Sequence, residues 1–320
     1  MNKVTALLLS LISVSASAQT TLLLYTSQPN QDAQQTVAAF EKQNPEIRVN
    51  WIRDGTTKLM ARFQAEQEAG VKSPDMLLIA DSVTMESLKQ KDLLYPYASN
   101  YEKNYDPSLY EPKGYYHGTK MITTGIAYNT QASFKPDSWW DLTKPEAKNL
   151  TAMPSPLYSG AALIHLATLT ENKIIGWDYY QQLKNNQVKA QGGNGGVLTA
   201  LSSGAKAYGA IVDFLAIREK AKGAPIEFVF PKEGVSMVTE PVAILASSKH
   251  KEAAQQFVDF LLSNSGQEMI KEQGYLPASN EVGTPEGFPP RNQIKMMTFN
   301  AESALKNANG NKSRFAEIFN

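Results

Sequence analysis

TLLLYTSQ, at residues 21–28, is an apolar run that ends in three polar residues. A short apolar run that stops at turn residues is typical of a strand buried on both faces. The apolar spacing from Asp32 to Gln43 predicts a helix soon afterwards, and Asn44-Pro45 predicts its end. The stretch therefore predicts a strand–turn–helix unit at the start of the fold.

The same unit occurs twice more in the first part of the chain. The predicted strands are Ile47–Ile52 and Asp75–Ile79, and the predicted helices are Lys58–Glu68 and Val83–Lys91. Strands that alternate with helices in this way form βαβ units, whose strands are parallel and whose helices cover both faces of the sheet. This part of the chain is thus predicted to have an α/β fold.

The rest of the chain continues to alternate strands and helices. Strands are predicted at Ile122–Asn129, Ala207–Val212, Ile226–Phe230 and Pro241–Leu245. Helices are predicted at Ala161–Leu169, Tyr179–Leu183, Val197–Ser203, Phe214–Lys222, Lys251–Leu262, Gly266–Gln273 and Arg314–Ile318. The sequence contains no internal repeat, and its length favours about two domains.

The composition excludes several classes of function. The 320 residues include 31 basic and 31 acidic side chains, so no net positive field attracts nucleic acid or an anionic membrane. There is no cysteine, which rules out disulfides, zinc–thiolate sites, iron–sulfur clusters and thiol nucleophiles. With only three histidines, a histidine-rich metal site is not expected either.

The N-terminus predicts export. Lys3 precedes an apolar run from Val4 to Val14, and Ala16-Ser17-Ala18 has the small residues that a signal peptidase accepts. The run is too short to span a membrane, so residues 1–18 are interpreted as a cleavable signal peptide. A cysteine-free exported chain of this size is expected in a Gram-negative periplasm.

Four loops carry small residues and hydroxyl groups where a strand is predicted to lead into a helix. In open α/β sheets, ligands bind outside the carboxyl ends of strands, where such loops converge. Each loop ends at a helix N-terminus, whose free backbone N–H groups and dipole favour an anion. The same residues are common in ordinary turns and caps, so one such loop would not predict a binding site. Four such loops, spread over both halves of the chain, do predict one. The candidate ligand-binding residues in these loops are Thr26, Ser27, Gln28, Gly55, Thr56, Thr57, Ser159, Gly160, Asn194, Gly195 and Gly196.

Three acidic residues are further candidates for ligand binding. Asp213 follows the strand Ala207–Val212 and is expected either to meet an amine or hydroxyl of a ligand or to cap the next helix. Asp81 is interpreted first as an N-cap and second as a cleft residue. Glu240 precedes Pro241 at the start of a strand, where it is either structural or a hinge or ligand contact.

The sequence contains no motif that indicates catalysis. There is no Gly-x-Ser-x-Gly elbow, no His-Glu-x-x-His and no Walker loop. His165 lies on an apolar helix and is interpreted as a core residue. The adjacent tyrosines Tyr115-Tyr116 and Tyr179-Tyr180 are interpreted as packing residues rather than metal ligands. The chain is therefore predicted to bind a ligand without being an enzyme, and no metal site or cofactor is predicted.

Several motifs resemble the periplasmic solute-binding proteins of ABC importers, over essentially the whole mature chain. The motifs are Leu24-Tyr25-Thr26-Ser27-Gln28, Phe40-Glu41-Lys42, Tyr128-Asn129-Thr130, Ser138-Trp139-Trp140-Asp141-Leu142, Met153-Pro154-Ser155-Pro156-Leu157-Tyr158-Ser159-Gly160 and Ala253-Ala254-Gln255-Gln256-Phe257-Val258-Asp259-Phe260-Leu261. The chain is most similar to the bilobal class whose members bind ferric ion, phosphorylated sugars, pyridoxal phosphate, aminoalkylphosphonates or polyamines.

The resemblance implies a two-lobed, type II periplasmic-binding-protein fold with mixed sheets and a two-segment hinge. Residues 19–122 and 241–284 would form lobe one, residues 125–238 lobe two, and residues 285–320 a C-terminal tail that packs on the lobes. The hinge crossings are expected at Thr123–Gly125 and Thr239–Glu240. Ligand contacts from both lobes would stabilise the closed form. The expected protein partner is an inner-membrane ABC permease, and the receptor is expected to be a monomer that binds no nucleic acid.

The resemblance also bears on the ligand. The ferric-ion branch has adjacent tyrosines after the strand that corresponds to Ala207–Val212, whereas this sequence has Val212-Asp213-Phe214. The relatives that bind sugar phosphates have a His-Asp pair there, of which only Asp213 is present. We therefore expect a small anionic solute with a phosphate or phosphonate group, such as pyridoxal phosphate, an aminoalkylphosphonate or a sugar phosphate. The alternatives are a ferric-iron receptor and a periplasmic phosphate-ester hydrolase.

Overall fold

The computed structural model describes residues 19–71 and 73–319. Its strands are β1 (Thr20–Thr26), β2 (Ile47–Arg53), β3 (Met76–Leu78), β4 (Leu94–Tyr95), β5 (His117–Gly118), β6 (Lys120–Asn129), β7 (Thr151–Met153), β8 (Lys189–Ala190), β9 (Tyr208–Val212), β10 (Ile226–Val229), β11 (Ser236–Val238), β12 (Pro241–Leu245) and β13 (Leu276–Pro277). Its α-helices are α1 (Asn30–Gln43), α2 (Thr56–Glu68), α3 (Ser82–Gln90), α4 (Gly160–Glu171), α5 (Gly176–Asn185), α6 (Asn194–Ser202), α7 (Asp213–Ala221), α8 (Lys251–Leu262), α9 (Asn264–Glu272) and α10 (Ala301–Phe319). The signal peptide predicted at residues 1–18 lies outside the described residues.

The first sheet contains the three strand–turn–helix units predicted at the start of the chain. Its strand order is β2-β1-β3-β12-β4, with β5 beside β12. β1 pairs in parallel with β2 and β3, while β12 returns from late in the chain to pair antiparallel with β3. Leu22 and Leu24 of β1 form one core with Phe40 of α1 and Phe257 of α8. The parallel arrangement predicted for the first three strands is confirmed.

The second sheet is mixed. Its strand order is β10-β6-β9-β7-β8, and β11 also pairs with β6. β7 and β9 are parallel, whereas β6 is antiparallel to β9, β10 and β11. The two sheets confirm the predicted α/β fold with mixed sheets. We call the parts of the chain around the first and second sheets the first lobe and the second lobe.

Two of the segments that pass between the lobes lie side by side. The Thr119 backbone N–H donates to the carbonyl of Thr239 at 3.0 Å, and the Thr119 hydroxyl donates to the carbonyl of Glu240 at 2.9 Å. Thr123–Gly125, where the first crossing was expected, already pair with β11 and β9 of the second sheet. The first crossing instead lies near Thr119, because β6 is continuous and needs no turn residue to mark the change of lobe.

Helix α10 contacts both lobes, since it packs on α3 of the first and on α4 and α5 of the second. The sequence predicted only Arg314–Ile318 as helical, because Gly310 and the asparagines around it have low helix propensity. Burial of Ala304 and Phe315 outweighs that propensity and extends the helix back to Ala301. None of the helices in the described residues has the length and the apolar run that a membrane span requires.

His165 of α4 is buried in the second lobe. Its ring centre lies 4.7 Å from that of Trp139, and its Nδ1 is 2.9 Å from the Ser236 hydroxyl. Burial lowers the pKa of His165 from 6.5 to about 3. Below the pKa of an exposed histidine, the unfolded chain therefore binds a proton at this position that the folded chain does not.

We expect this difference to make the free energy of unfolding fall as the pH falls. The loss due to His165 is about 2.7 kcal/mol between about pH 6.5 and about pH 4.5, at about 1.36 kcal/mol per pH unit. Urea unfolding of wild type and of His165→Gln over this range measures it, because the variant should lack this part of the pH dependence. Parallel pH profiles for the two proteins would contradict the assignment.

Candidate ligand-binding cleft

A cavity of about 480 Å³ lies between the two lobes, which is large enough for a small organic molecule. Ser27 and Arg53 line it from the carboxyl ends of β1 and β2, and Val212 lines it from the end of β9. The other lining residues are Pro29, Gly55, Thr56, Ala80, Ile122, Tyr158, Ser159, Gly160, Ala161, Gly192, Gly193, Asn194, Gly195, Gly196, Phe214, Leu215 and Glu240. Both lobes therefore contribute to the wall.

Five helices begin at this cavity. The residues directly before α1, α2, α4, α6 and α7 all line its wall, and they are Pro29, Gly55, Ser159, Gly193 and Val212. The first backbone N–H groups of a helix have no partner within the helix, and the helix dipole places partial positive charge there. The wall thus offers N–H donors from both lobes to a molecule in the cavity.

Thr56 and Ser159 add hydroxyl groups at two of these helix starts. Thr56 is 2% exposed, and its Oγ1 is buried without a hydrogen-bond partner among the described residues. The Ser159 Oγ accepts hydrogen bonds from the Ala162 N–H at 3.3 Å and from Asn194 Nδ2 at 3.4 Å, so its own hydrogen can still be donated. A buried hydroxyl without a partner costs about 1–3 kcal/mol, which a ligand acceptor at Thr56 would remove.

Arg53 is the one basic side chain in the described lining of the cavity. Its Nε donates to the carbonyl of Gln28 at 2.9 Å, which holds the guanidinium beside the loop after β1. This bond leaves the two terminal nitrogens of Arg53 for other acceptors. The sequence pattern assigned Arg53 to a turn, although its place directly after the strand Ile47–Ile52 could have marked it as a cleft residue.

Tyr158 reaches from the second lobe to the first. Its hydroxyl donates to Asp54 Oδ1 at 3.0 Å, and its carbonyl oxygen would lie only 2.7 Å from a Cβ at position 55. Gly55 therefore permits an approach of the two lobes that a larger residue would prevent. The sequence placed Tyr158 in a candidate loop but gave no sign that its side chain crosses the cleft.

Nine of the fourteen predicted binding residues line the cavity, namely Ser27, Gly55, Thr56, Ser159, Gly160, Asn194, Gly195, Gly196 and Glu240. The five that do not line it are Thr26, Gln28, Thr57, Asp81 and Asp213. The Thr26 hydroxyl accepts from the Gln28 N–H at 3.1 Å, and Asp81 caps α3 by accepting from the N–H groups of Val83 and Thr84. Ligand contact by any of the fourteen residues stays a prediction.

Asp213 forms its hydrogen bonds within the protein and does not line the cavity. Its Oδ2 accepts from the N–H and the hydroxyl of Thr123, at 2.9 and 2.7 Å, and its Oδ1 accepts from the Phe214 N–H at 2.6 Å. Burial raises the pKa of Asp213 to about 7, although these hydrogen bonds oppose the shift. These bonds join the start of α7 to β6, while the N-cap position of α7 is occupied by Val212 and not, as one alternative expected, by Asp213.

Glu240 lines the cavity at the hinge, where its φ of 38° is unusual for a residue other than glycine. Its carboxylate lies 2.5 Å from Lys120 Nζ and accepts from Gln28 Nε2 at 3.3 Å. Burial raises the pKa of Glu240, and Lys120 opposes the shift. Since Lys120 neutralises Glu240 within the protein, the uncompensated charge in the cavity wall is that of Arg53.

Within the described residues, no group of three or more His, Asp or Glu side chains is placed to hold a metal ion. Tyr158 is the one tyrosine in the described lining of the cavity. Tyr179 and Tyr180 lie instead in the core of the second lobe, where their rings contact Trp140 and Phe315. The tyrosine pair therefore does not face the cleft.

Two α/β lobes with a cleft between them are the architecture of a class of ligand-binding proteins. A model of the family described as bacterial extracellular solute-binding proteins matches residues 72–302. Since this match covers well over half of the chain, the protein belongs to that family. The predicted resemblance to solute-binding proteins is confirmed.

Similar proteins occur in several bacteria. An uncharacterised protein of Haemophilus influenzae is 28% identical over 309 residues, which cover 91% of this chain and 88% of the relative. The Fe(3+)-binding periplasmic protein of Serratia marcescens is 26% identical over 268 residues, which cover 80% of this chain and 78% of the relative. The structure of the periplasmic binding protein AfuA of Actinobacillus pleuropneumoniae, with fructose 6-phosphate bound, is similar with a TM-score of 0.84 at 23% identity, over 93% of this chain and 98% of that one. This similarity confirms the predicted two-lobed periplasmic-binding-protein fold.

Proposed function

We propose that this protein is the periplasmic receptor of an ABC importer for a small phosphorylated or phosphonate solute. The signal peptide predicted at residues 1–18 exports it. The parts of the chain around the first and the second sheet form the two lobes, and the tail of residues 285–320 packs on both. The solute binds in the cleft and stabilises the closed arrangement, which docks as a monomer on an inner-membrane permease. Transport requires no covalent chemistry in the receptor.

The convergence of five helix starts on one cavity is the observation that best supports an anionic solute. Each helix dipole stabilises an anion bound at the N-terminus of the helix by about 0.3–1 kcal/mol. Each charge-assisted hydrogen bond stabilises the anion by about 1.5–3 kcal/mol. Arg53 adds a full positive charge, and the Thr56 hydroxyl adds a buried donor without another partner among the described residues. Together these groups suit the three oxygens of a phosphate or phosphonate.

Ferric iron is the second candidate solute, because the relative from Serratia marcescens is named for binding Fe(3+). Ferric ion is a hard cation that prefers phenolate and carboxylate oxygens. In the described lining, however, the phenol of Tyr158 is hydrogen-bonded to Asp54, and the carboxylate of Glu240 is paired with Lys120. This lining supports an anionic solute better than a metal ion.

Identification of the compound that the purified protein carries tests the proposal. We expect protein purified from the periplasm to release a phosphorus-containing compound on unfolding, identified by mass spectrometry and phosphorus NMR. A visible-absorbing complex with Fe(III), and no phosphorus in the released material, would contradict the proposal and favour the iron receptor. Loss of the phosphate group from that compound during incubation with the protein would instead indicate the hydrolase.

Replacing Arg53 with glutamine should weaken binding of the released compound by about tenfold to a hundredfold, since one charge-assisted hydrogen bond contributes about 1.5–3 kcal/mol. Isothermal titration calorimetry measures the change in Kd. Arg48→Gln is the matched control, because it removes the same charge from β2 at a residue that pairs with Glu41 and does not line the cavity. An equal loss in both variants would show that only the net charge matters and would contradict contact by Arg53.

A further inference from the structure

We infer that the solute carries its anionic group on an apolar, ring-sized body such as an aromatic ring, and not on a sugar. This inference rests on the proposed function. Apart from the helix starts and Arg53, much of the cavity wall is apolar, formed by Ile122, Val212, Phe214 and Leu215. A body that fills this part of the cavity must therefore gain its affinity from apolar contact.

The apolar wall is fixed by packing behind it. The ring of Phe214 lies with its centre 4.2 Å from that of Tyr275 and 4.5 Å from Arg218 Cζ. Ile122 and Val212 belong to strands of the second sheet and are only 4% and 3% exposed. Because these side chains are packed from behind, they stay in place and keep this part of the wall apolar when a ligand binds.

The carboxylate and amide side chains nearest the cavity, which could bind the hydroxyl groups of a sugar, are already used within the protein. The carboxylate of Asp213 binds Thr123 and the Phe214 N–H, and that of Glu240 is paired with Lys120. Asn194 accepts from the Val212 N–H at 3.1 Å and donates to Ser159 at 3.4 Å. Hydroxyl groups placed in this cavity would lose their hydrogen bonds to water without regaining as many, which disfavours a polyhydroxylated body.

The test compares phenyl phosphate, fructose 6-phosphate and inorganic phosphate by isothermal titration calorimetry on the mature protein, freed of bound ligand. We expect phenyl phosphate to bind about thirtyfold or more tighter than inorganic phosphate, because its ring buries apolar surface. Fructose 6-phosphate should bind no tighter than inorganic phosphate. Tighter binding of fructose 6-phosphate than of phenyl phosphate, or equal binding of phenyl phosphate and inorganic phosphate, would overturn the inference and leave the proposed function standing. Failure of all three to bind would overturn the inference, whereas the phosphorus content of the released compound decides the proposed function.

A variant of the apolar wall gives a second measurement. Leu215→Asn should reduce the preference for phenyl phosphate over inorganic phosphate by about tenfold. Leu198→Asn is the control, because Leu198 is another half-buried leucine on a nearby helix, α6, but does not line the cavity. The Kd for inorganic phosphate reports that each variant has folded. An unchanged preference in Leu215→Asn would overturn the inference.

Discussion

Replacing Gly160 with alanine is expected to hold the two lobes apart and to weaken solute binding by about tenfold to a hundredfold, since overpacking a close contact costs about 1–3 kcal/mol. A Cβ at position 160, in the second lobe, would lie 2.6 Å from the Ala80 carbonyl oxygen, 2.7 Å from Thr56 Oγ1 and 2.9 Å from Asp81 Cβ. Backbone and Cβ atoms cannot rotate away from this contact. The variant should therefore remain more open than wild type when solute is present, as measured by small-angle X-ray scattering.

Gly195→Ala is the matched control for this substitution. Gly195 also lines the cavity near a helix start, but a Cβ there would meet no atom within 4 Å. Its affinity should stay close to that of wild type, and neither variant should lower the free energy of unfolding without solute, because alanine favours the first turn of a helix over glycine. Normal closure and wild-type affinity in the Gly160 variant would show that the lobes do not meet here when solute is bound.

The second large effect is expected from the ion pair that joins the lobes behind the cleft. Asp32 of α1 accepts from both terminal nitrogens of Arg218 of α7, at 2.9 and 3.0 Å, and Tyr275 also donates to it. Asp32 is 2% exposed, so Arg218→Gln would leave a buried carboxylate without its cation. Breaking such a pair costs about 3–5 kcal/mol when both partners are buried. Since the Arg218 side chain is 26% exposed, we expect the lower end of this range.

Two measurements separate the consequences of losing this pair. The free energy of urea unfolding should fall if the lobes stay together, whereas X-ray scattering should show an opened molecule if Asp32 gains water by separation of the lobes. In the double variant Asp32→Asn with Arg218→Gln, the loss of unfolding free energy should be smaller than the sum of the single losses, because a neutral amide needs no cation.

The control is Lys220→Gln on the same helix, which removes an exposed pair with Glu227 and should cost less than about 1 kcal/mol. Additive losses in the double variant would contradict an energetic coupling between Asp32 and Arg218. A loss in Arg218→Gln no larger than that in Lys220→Gln would contradict it as well.

The regular elements were predictable because their signals are local. β1 was predicted at Thr21–Tyr25 and occurs at Thr20–Thr26, since a buried parallel strand is a continuous apolar run that ends at turn residues. The helix start at Ser159 was equally visible, because its hydroxyl caps the first turn of α4. Short strands such as Lys189–Ala190 were not predicted, since two residues carry no periodicity.

The cavity was predictable only in part, because side-chain direction depends on distant neighbours. The four candidate loops do contribute to one cavity, which follows from the placement of helix starts at the carboxyl ends of strands. The side chain of Tyr158 could not be assigned to the cleft in the same way, since its partner Asp54 is 104 residues away in the sequence. For the same reason the sequence left two roles open for Asp213, ligand contact or a helix cap, as its partner Thr123 is 90 residues away.

The bonds that tie Thr119 to Thr239 and Glu240 prevent the two connecting segments from bending separately. We therefore expect the two segments to turn together in any rotation of one lobe against the other. In the proposed closure on a solute, the same helix starts of the two lobes would then meet at the same spacing each time.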